Sequence, residues 1–223
     1  MATQDRAIRT RQGILAAAAK VFEERGYQSA TIAEILTAAG VTKGALYFHF
    51  QSKEHLAQGV LRAQNDERLV VPDRVSKIQQ LVDIVMLHAY RLQTDPMVRA
   101  SVRLTLDELA QDLDRSGPFR IWSQVGQELL AKAQAQGELL PHVVPAETTA
   151  VLVGSFGGVQ AMSHVMTDYQ DLGQRISDLL RHVLPSVVLS SVLASLDLSP
   201  GRGPAVYEEL VASALESESV AVS

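Results

Sequence analysis

Six residues in one short stretch could do chemistry together: Thr42, Lys43, Gly44, Tyr47, His49 and Lys53. A helix opened by Thr42 would put Thr42, Lys43 and Gly44 in its first turn, where a helix entering a DNA major groove meets base edges. Lysine can donate to guanine O6 and N7, and threonine can donate to phosphate or touch a thymine methyl. Tyr47, His49 and Lys53 follow as phosphate donors on the same side. Leu46 and Phe50, four residues apart, read as core. Gly44 costs such a helix about 1 kcal/mol relative to alanine. Two reasons for it stay open: close approach of the backbone to DNA, or tight packing beneath Tyr47. Singly, the other residues also have plain roles as a surface histidine, a capping tyrosine and a solvated lysine. Their combination on one face is what points to DNA.

A second group is spread along the chain. Gln64, His88, Thr105, Trp122, Val125, Phe156 and Gln160 are polar or aromatic groups on, or beside, apolar helical stripes. Trp122 is the single tryptophan, and its flat face and N–H suit a small amphipathic ligand as well as a core position. Gln64 continues the Leu56–Val60 stripe and could bond a carbonyl or hydroxyl. Catalytic chemistry is harder to assemble. There is no cysteine, and the six histidines lack H-x-x-x-H or H-E-x-x-H spacing. Neither a G-x-S-x-G elbow nor a phosphate-binding loop occurs. Gly154, Gly157 and Gly158 lack the strand and spacing of a dinucleotide fingerprint and read as packing residues. The expectation is a protein with no catalytic residues, no metal and no cofactor.

The elements that must position these residues read as helices throughout. Ile8, Leu15, Ala19 and Phe22 stripe the first, with Gly26 placed to end it. Thr31 and Glu34 form a T-x-x-E capping box for the second. Gly40 breaks it, Thr42 caps a third and Ser52 a fourth. This spacing is a helix-turn-helix. Later helices follow from the Ile78–Leu92 stripe, the Asp95-Pro96 cap, the segment after Pro118, residues 147–167, which are apolar on nearly all sides, and the Leu172–Val183 stripe. After the breaker run 199–204 a short helix is expected over about 205–215. The fold class is all-α: an N-terminal three-helix DNA-binding domain over residues 1–53 and a larger helical domain over 54–223 for ligand binding and dimerisation.

Charge divides the same way. The 223 residues carry a formal net charge of −5, which alone argues against a nucleic-acid partner. Residues 1–53, however, hold seven basic and four acidic groups, a net +3, and the remainder carries −8. No stretch has the roughly 18 consecutive apolar residues of a membrane span, so no membrane partner and a cytoplasmic location are expected.

The run Thr31–Leu36, then Ala39-Gly-Val-Thr-Lys-Gly-Ala-Leu-Tyr-Phe-His-Phe50 and Ser52-Lys-Glu54, resembles the DNA-binding signature of TetR-family transcriptional regulators. Together with Arg6-Ala-Ile-Arg-Thr-Arg11 it is most similar to the γ-butyrolactone receptors of streptomycetes. The resemblance implies a homodimeric repressor on a pseudo-palindromic double-stranded operator, released by a butyrolactone- or butenolide-type effector. It implies base or backbone contacts from Thr42, Lys43, Gly44 and Tyr47, and phosphate contacts from Arg6, Arg9, His49 and Lys53. It also implies that Trp122 lines an effector pocket. The fourth helix joins that pocket to the reading helix, so a ligand-driven tilt of it is expected to carry the signal. The alternatives are a repressor answering to an antibiotic or other small molecule, a lactone-processing enzyme, and a pure interaction module.

Overall fold

A computed structural model describes the backbone of residues 2–66 and 71–222 and the side chains of residues 6–62 and 71–216. Eleven α-helices are formed among the described residues. In chain order they are α1 (Ala2–Ser29), α2 (Ile32–Ala39), α3 (Lys43–His49), α4 (Lys53–Asp66), α5 (Lys77–Thr94) and α6 (Pro96–Leu106). There follow α7 (Gly117–Ala135), α8 (Pro145–Thr167), α9 (Leu172–Val183), α10 (Ser190–Leu193) and α11 (Arg202–Val222). The described residues contain no strand, only an isolated bridge between Leu139 and Val188. The all-α expectation holds.

Two units pack separately: Met1–Arg68 with Asp95–Arg120, and Leu69–Thr94 with Ile121–Ser223. In the first, α1 buries Ile14, Ala18 and Phe22 against Ile35 of α2, Leu46 of α3, and Leu56, Ala57 and Val60 of α4. Ala100 and Leu104 of α6 complete that core. An Arg99–Glu23 ion pair, a bond from Arg103 to the Glu23 carbonyl and the Tyr27 N–H on Asp107 at 3.2 Å fasten α6 to α1. The packing unit therefore runs past residue 53: Ser52 caps α4 as expected, accepting from the His55 N–H at 3.0 Å, and α4 shares its core with α1. Gly26, at φ 76°, takes α1 out of helical geometry where a glycine break was expected. Ile8 leaves the expected stripe, since the first turns of α1 extend beyond the core and leave it half exposed.

The N-terminal elements form for reasons visible in their caps. Thr31 Oγ1 accepts from the Glu34 N–H at 3.2 Å, and the Glu34 carboxylate accepts from the Thr31 N–H at 2.9 Å. The Thr31 hydroxyl, donating to Glu34 Oε2 at 2.8 Å, and then the Thr31 N–H hold the Glu34 carboxyl below its ordinary pKa. Gly40 at φ 64° caps α2 in the left-handed conformation, and Thr42 Oγ1 opens α3 by accepting from Ala45 N–H at 3.3 Å.

In the second unit, Glu138 serves as a remote cap for α5. Its carboxylate accepts from the Lys77 and Ile78 N–H groups, each at 2.9 Å, and from Ser76 Oγ at 3.0 Å. Asp83 of α5 is buried and accepts from Arg74 Nε, Arg202 Nε and Gln79 Nε2, each at 2.7 Å. Glu209 of α11 pairs with both arginines. Burial alone would raise the Asp83 pKa; the bonds from Arg202, Gln79 and Arg74 outweigh it and hold the carboxyl below its ordinary value. At Gly203 a Cβ would lie 2.5 Å from the Met86 carbonyl, so α11 starts in backbone contact with α5.

One expectation is corrected in this unit. The tail helix begins at Arg202 and is longer than 205–215, because the Gly-Pro run supplies its first turn, where a proline lacks no bond it could have made. Helix α8 is apolar on nearly all sides, as expected, and within the single chain Val151, Met162, Val165 and Met166 are exposed. Its apolar circumference exceeds what its own chain covers.

Candidate nucleic-acid interface and buried aromatic site

The reading face is built on α3. Leu46 and Phe50, both fully buried, fix the helix on the α1–α4 core. Two residues on from Leu46, Phe48 is rotated about 200° away and is 80% exposed. Tyr47 is exposed beside it, and Lys43 Nζ lies 5.8 Å from the Tyr47 ring centroid. This contact holds the ammonium along the helix surface at little energetic cost to a later move. His49 packs edge-on against Phe48 at 5.0 Å. Thr42 spends one lone pair on its cap and keeps its O–H for an outside acceptor. Arg6 and Arg9 are exposed on α1.

Gly44 is exposed, and a Cβ placed on it would meet nothing within 4 Å. Packing beneath Tyr47 thus gives no reason for a glycine here. Close approach of an outside surface remains.

Lys53 is placed otherwise than expected. Its ammonium donates to the carbonyls of Tyr27 at 2.8 Å, Gln28 at 3.2 Å and Ala30 at 3.1 Å, and sits 4.6 Å from the Tyr27 ring centroid. All three protons are spent on the end of α1, so the side chain positions α1 against α4 instead of offering itself to phosphate. Phe48 is the complementary omission. Its signal was present in the register: with Leu46 and Phe50 taken as core, an aromatic between them must face outward.

Of the second group, the structure brings His88, Trp122 and Phe156 together. The His88 ring lies 4.7 Å from that of Trp122 and 5.3 Å from that of Phe156, centroid to centroid. His88 is buried, and desolvation, helped by the nearby Arg91 charge, pushes its pKa down to about 3. The ring is therefore neutral throughout the physiological range. Val125 lies one turn beyond Trp122 and is half-buried. Gln160, one turn beyond Phe156 on the same face of α8, is 7% exposed, and its Oε1 has no hydrogen-bond partner. Helices α7 and α8 cross closely where a Cβ on Gly126 would lie 2.6 Å from Thr149 Cγ2. Thr105 belongs to the first unit, and its hydroxyl donates to the Ser101 carbonyl at 2.8 Å. The Gln64 side chain lies outside the described residues.

The arrangement suits an uncharged, partly flat ligand. Among the described residues no group of three or more histidines and carboxylates is placed to hold a metal, and no helix is long and apolar enough to cross a membrane.

Known proteins resemble the chain over most of its length. The sequence pattern of the bacterial regulatory proteins of the tetR family matches residues 14–60. The A-factor receptor protein of Streptomyces griseus is 37% identical over 196 residues, which span 88% of this chain and 70% of that protein. Full-length native TylP, a TetR regulator from Streptomyces fradiae, superposes with a TM-score of 0.85 at 47% identity, covering 92% of this chain and 99% of that one. A gamma-butyrolactone receptor (ArpA-like protein) superposes with a TM-score of 0.66 at 28% identity, covering 92% and 98%.

Proposed function

The chain belongs to the TetR family of bacterial regulatory proteins, and from that premise we propose that it represses transcription as an operator-bound homodimer released by a γ-butyrolactone- or butenolide-type effector. It is a TetR-type regulator, not an enzyme, related to the A-factor and gamma-butyrolactone receptors. The single observation that carries DNA reading is the α3 face, where Gly44 leaves open space between Thr42, Lys43, Tyr47 and the exposed Phe48. Base contacts are assigned to Lys43, Thr42 and Tyr47, and phosphate contacts to Arg6, Arg9 and His49. Lys53 holds the scaffold beneath them.

The effector reading rests on the neutral His88–Trp122–Phe156 cluster together with Val125 and Gln160. An uncharged lactone ring and an alkyl chain match such a site, which offers aromatic faces and few polar groups. Release requires the effector to favour the DNA-free state; a hundredfold preference, about 2.7 kcal/mol, already shifts most of the population. The signal is assigned to α4, which follows the reading helix in the chain; α6, which follows α5 and packs on α1, offers a second route. The exposed α8 residues Val151, Met162 and Val165, beside the open Gly154 and Gly158, supply the dimer face.

Gel-shift titration of DNA from upstream of the protein's own gene tests both parts. Wild type should bind and a butyrolactone should release it, while Lys43→Ala should weaken binding by roughly 1–3 kcal/mol. Binding that is indifferent to lactones but released by an antibiotic would replace the effector while leaving the repressor reading in place.

A further inference from the structure

We infer that Phe48 reads thymine: its exposed ring takes the C5-methyl group of a thymine in the major groove, and so sets one letter of the operator that no hydrogen bond specifies. The inference rests on the DNA-reading face proposed above and gives Phe48 a partner on it. The ring is 80% exposed, on a helix of seven residues whose Leu46, like the capping Phe50, is fully buried. At about 100° per residue, Phe48 lies opposite the midpoint of Leu46 and Phe50 and points straight away from the core. Gly44 is its neighbour one turn earlier, about 40° around, and a Cβ there would meet nothing within 4 Å. The centre of the outward face is therefore an aromatic ring beside a bare stretch of backbone. An outside surface can close on the ring with no side chain in the way.

The chemistry of the partner follows from that of the ring. Phenylalanine carries no donor and no acceptor, so neither a phosphate oxygen nor a polar base edge rewards it. A phenyl group standing in water gains by burial against something apolar. The base edges of the major groove offer one group of that kind, the methyl of thymine. Thr42, Lys43 and Tyr47 are exposed around the same helix. An apolar protein surface covering the ring would strand these donors, whereas a DNA groove satisfies ring and donors together.

The ring is also held before DNA arrives. His49 packs edge-on to it, with centroids 5.0 Å apart and planes at 85°. Lys43 serves a different letter, since it lies about 7.5 Å away along the helix axis and about 140° around it. The thymine is thus a separate base pair from the one given to Lys43, and the two contacts can be removed one at a time.

The test deletes the methyl from the DNA and the ring from the protein, separately and together. A duplex selected by the full-length protein from a random pool is resynthesised with uracil for thymine at one symmetry-related pair of positions at a time. Uracil lacks the methyl and keeps every hydrogen-bonding group of thymine. Affinities are measured by fluorescence anisotropy for wild type and for Phe48→Ala. At one such pair of positions wild type should lose about fourfold per methyl, about fifteenfold over the two half-sites, while Phe48→Ala should bind the thymine and uracil duplexes alike. If every loss seen in wild type persists in Phe48→Ala, another residue reads the methyl and the inference is overturned. Absence of any methyl effect in wild type, even with Phe48→Ala binding more weakly throughout, puts the ring on deoxyribose and overturns it as well. Both results leave the operator reading in place. A pool that enriches nothing fails that reading itself, and the inference falls with it. The variant trims an exposed side chain and gains helix propensity, so its helical circular dichroism should match that of wild type.

Discussion

Gly44 and Lys53 show how differently single residues declare themselves. Both lie in a run whose type and spacing point to DNA, and in the sequence both look like members of one reading face. Open space over Gly44 keeps it there, since neither packing nor a left-handed backbone explains the glycine. This separates stability from function. Gly44→Ala should raise the unfolding free energy of the DNA-binding unit by up to about 1 kcal/mol through helix propensity, yet weaken operator binding in a fluorescence-anisotropy titration. Unchanged DNA affinity in a stabilised variant would show that the space is not used. Lys53 moves the other way. Its three carbonyl partners come from residues 23 to 26 positions earlier, and no local spacing announces such a convergence. The His88–Trp122–Phe156 cluster was legible only as separate groups on three stripes, because which stripes face one another is settled by packing.

Helix ends carry most of what the sequence reveals about elements. Thr31 with Glu34, Gly40, Thr42 and Asp95-Pro96 each mark a boundary that the structure keeps, through bonds made within a few residues. The start of α11 was hidden, since its Gly-Pro run reads as a breaker until Gly203 is seen lying on the Met86 backbone. So was its anchor, where Arg74 and Asp83 meet Arg202 and Glu209 from a stretch more than a hundred residues away. Removing one member leaves buried charge uncompensated, which costs more than the intact cluster gains. Asp83→Ala should therefore destabilise the protein by about 3–5 kcal/mol in urea denaturation. Arg120→Ala, which breaks the exposed Arg120–Asp114 pair, should leave the midpoint unmoved. A small effect at Asp83 would mean that α11 is held by its apolar contacts with α5 alone.

For the whole molecule, net charge was the misleading statistic and its distribution the useful one. The segment that holds α3 is positive, and the −8 of the remainder limits non-specific attraction to nucleic acid. Helix α8 makes the matching point for assembly: apolar on nearly all sides in the sequence, it keeps Val151, Met162 and Val165 exposed and leaves open space over Gly154 and Gly158. Gly158→Leu favours the helix itself but fills that space, so sedimentation should shift the protein from dimer toward monomer without loss of helical circular dichroism. A dimer of unchanged affinity would place the interface elsewhere. The central claim, that two copies of α3 read a symmetric operator, is tested most directly by selecting bound sites from a random pool of DNA duplexes. The account predicts enrichment of a two-fold symmetric sequence with half-sites spaced by about one helical turn or a multiple of it, and a consensus relaxed in Lys43→Ala. A pool that enriches nothing, or a symmetric site read unchanged by Lys43→Ala, would contradict it.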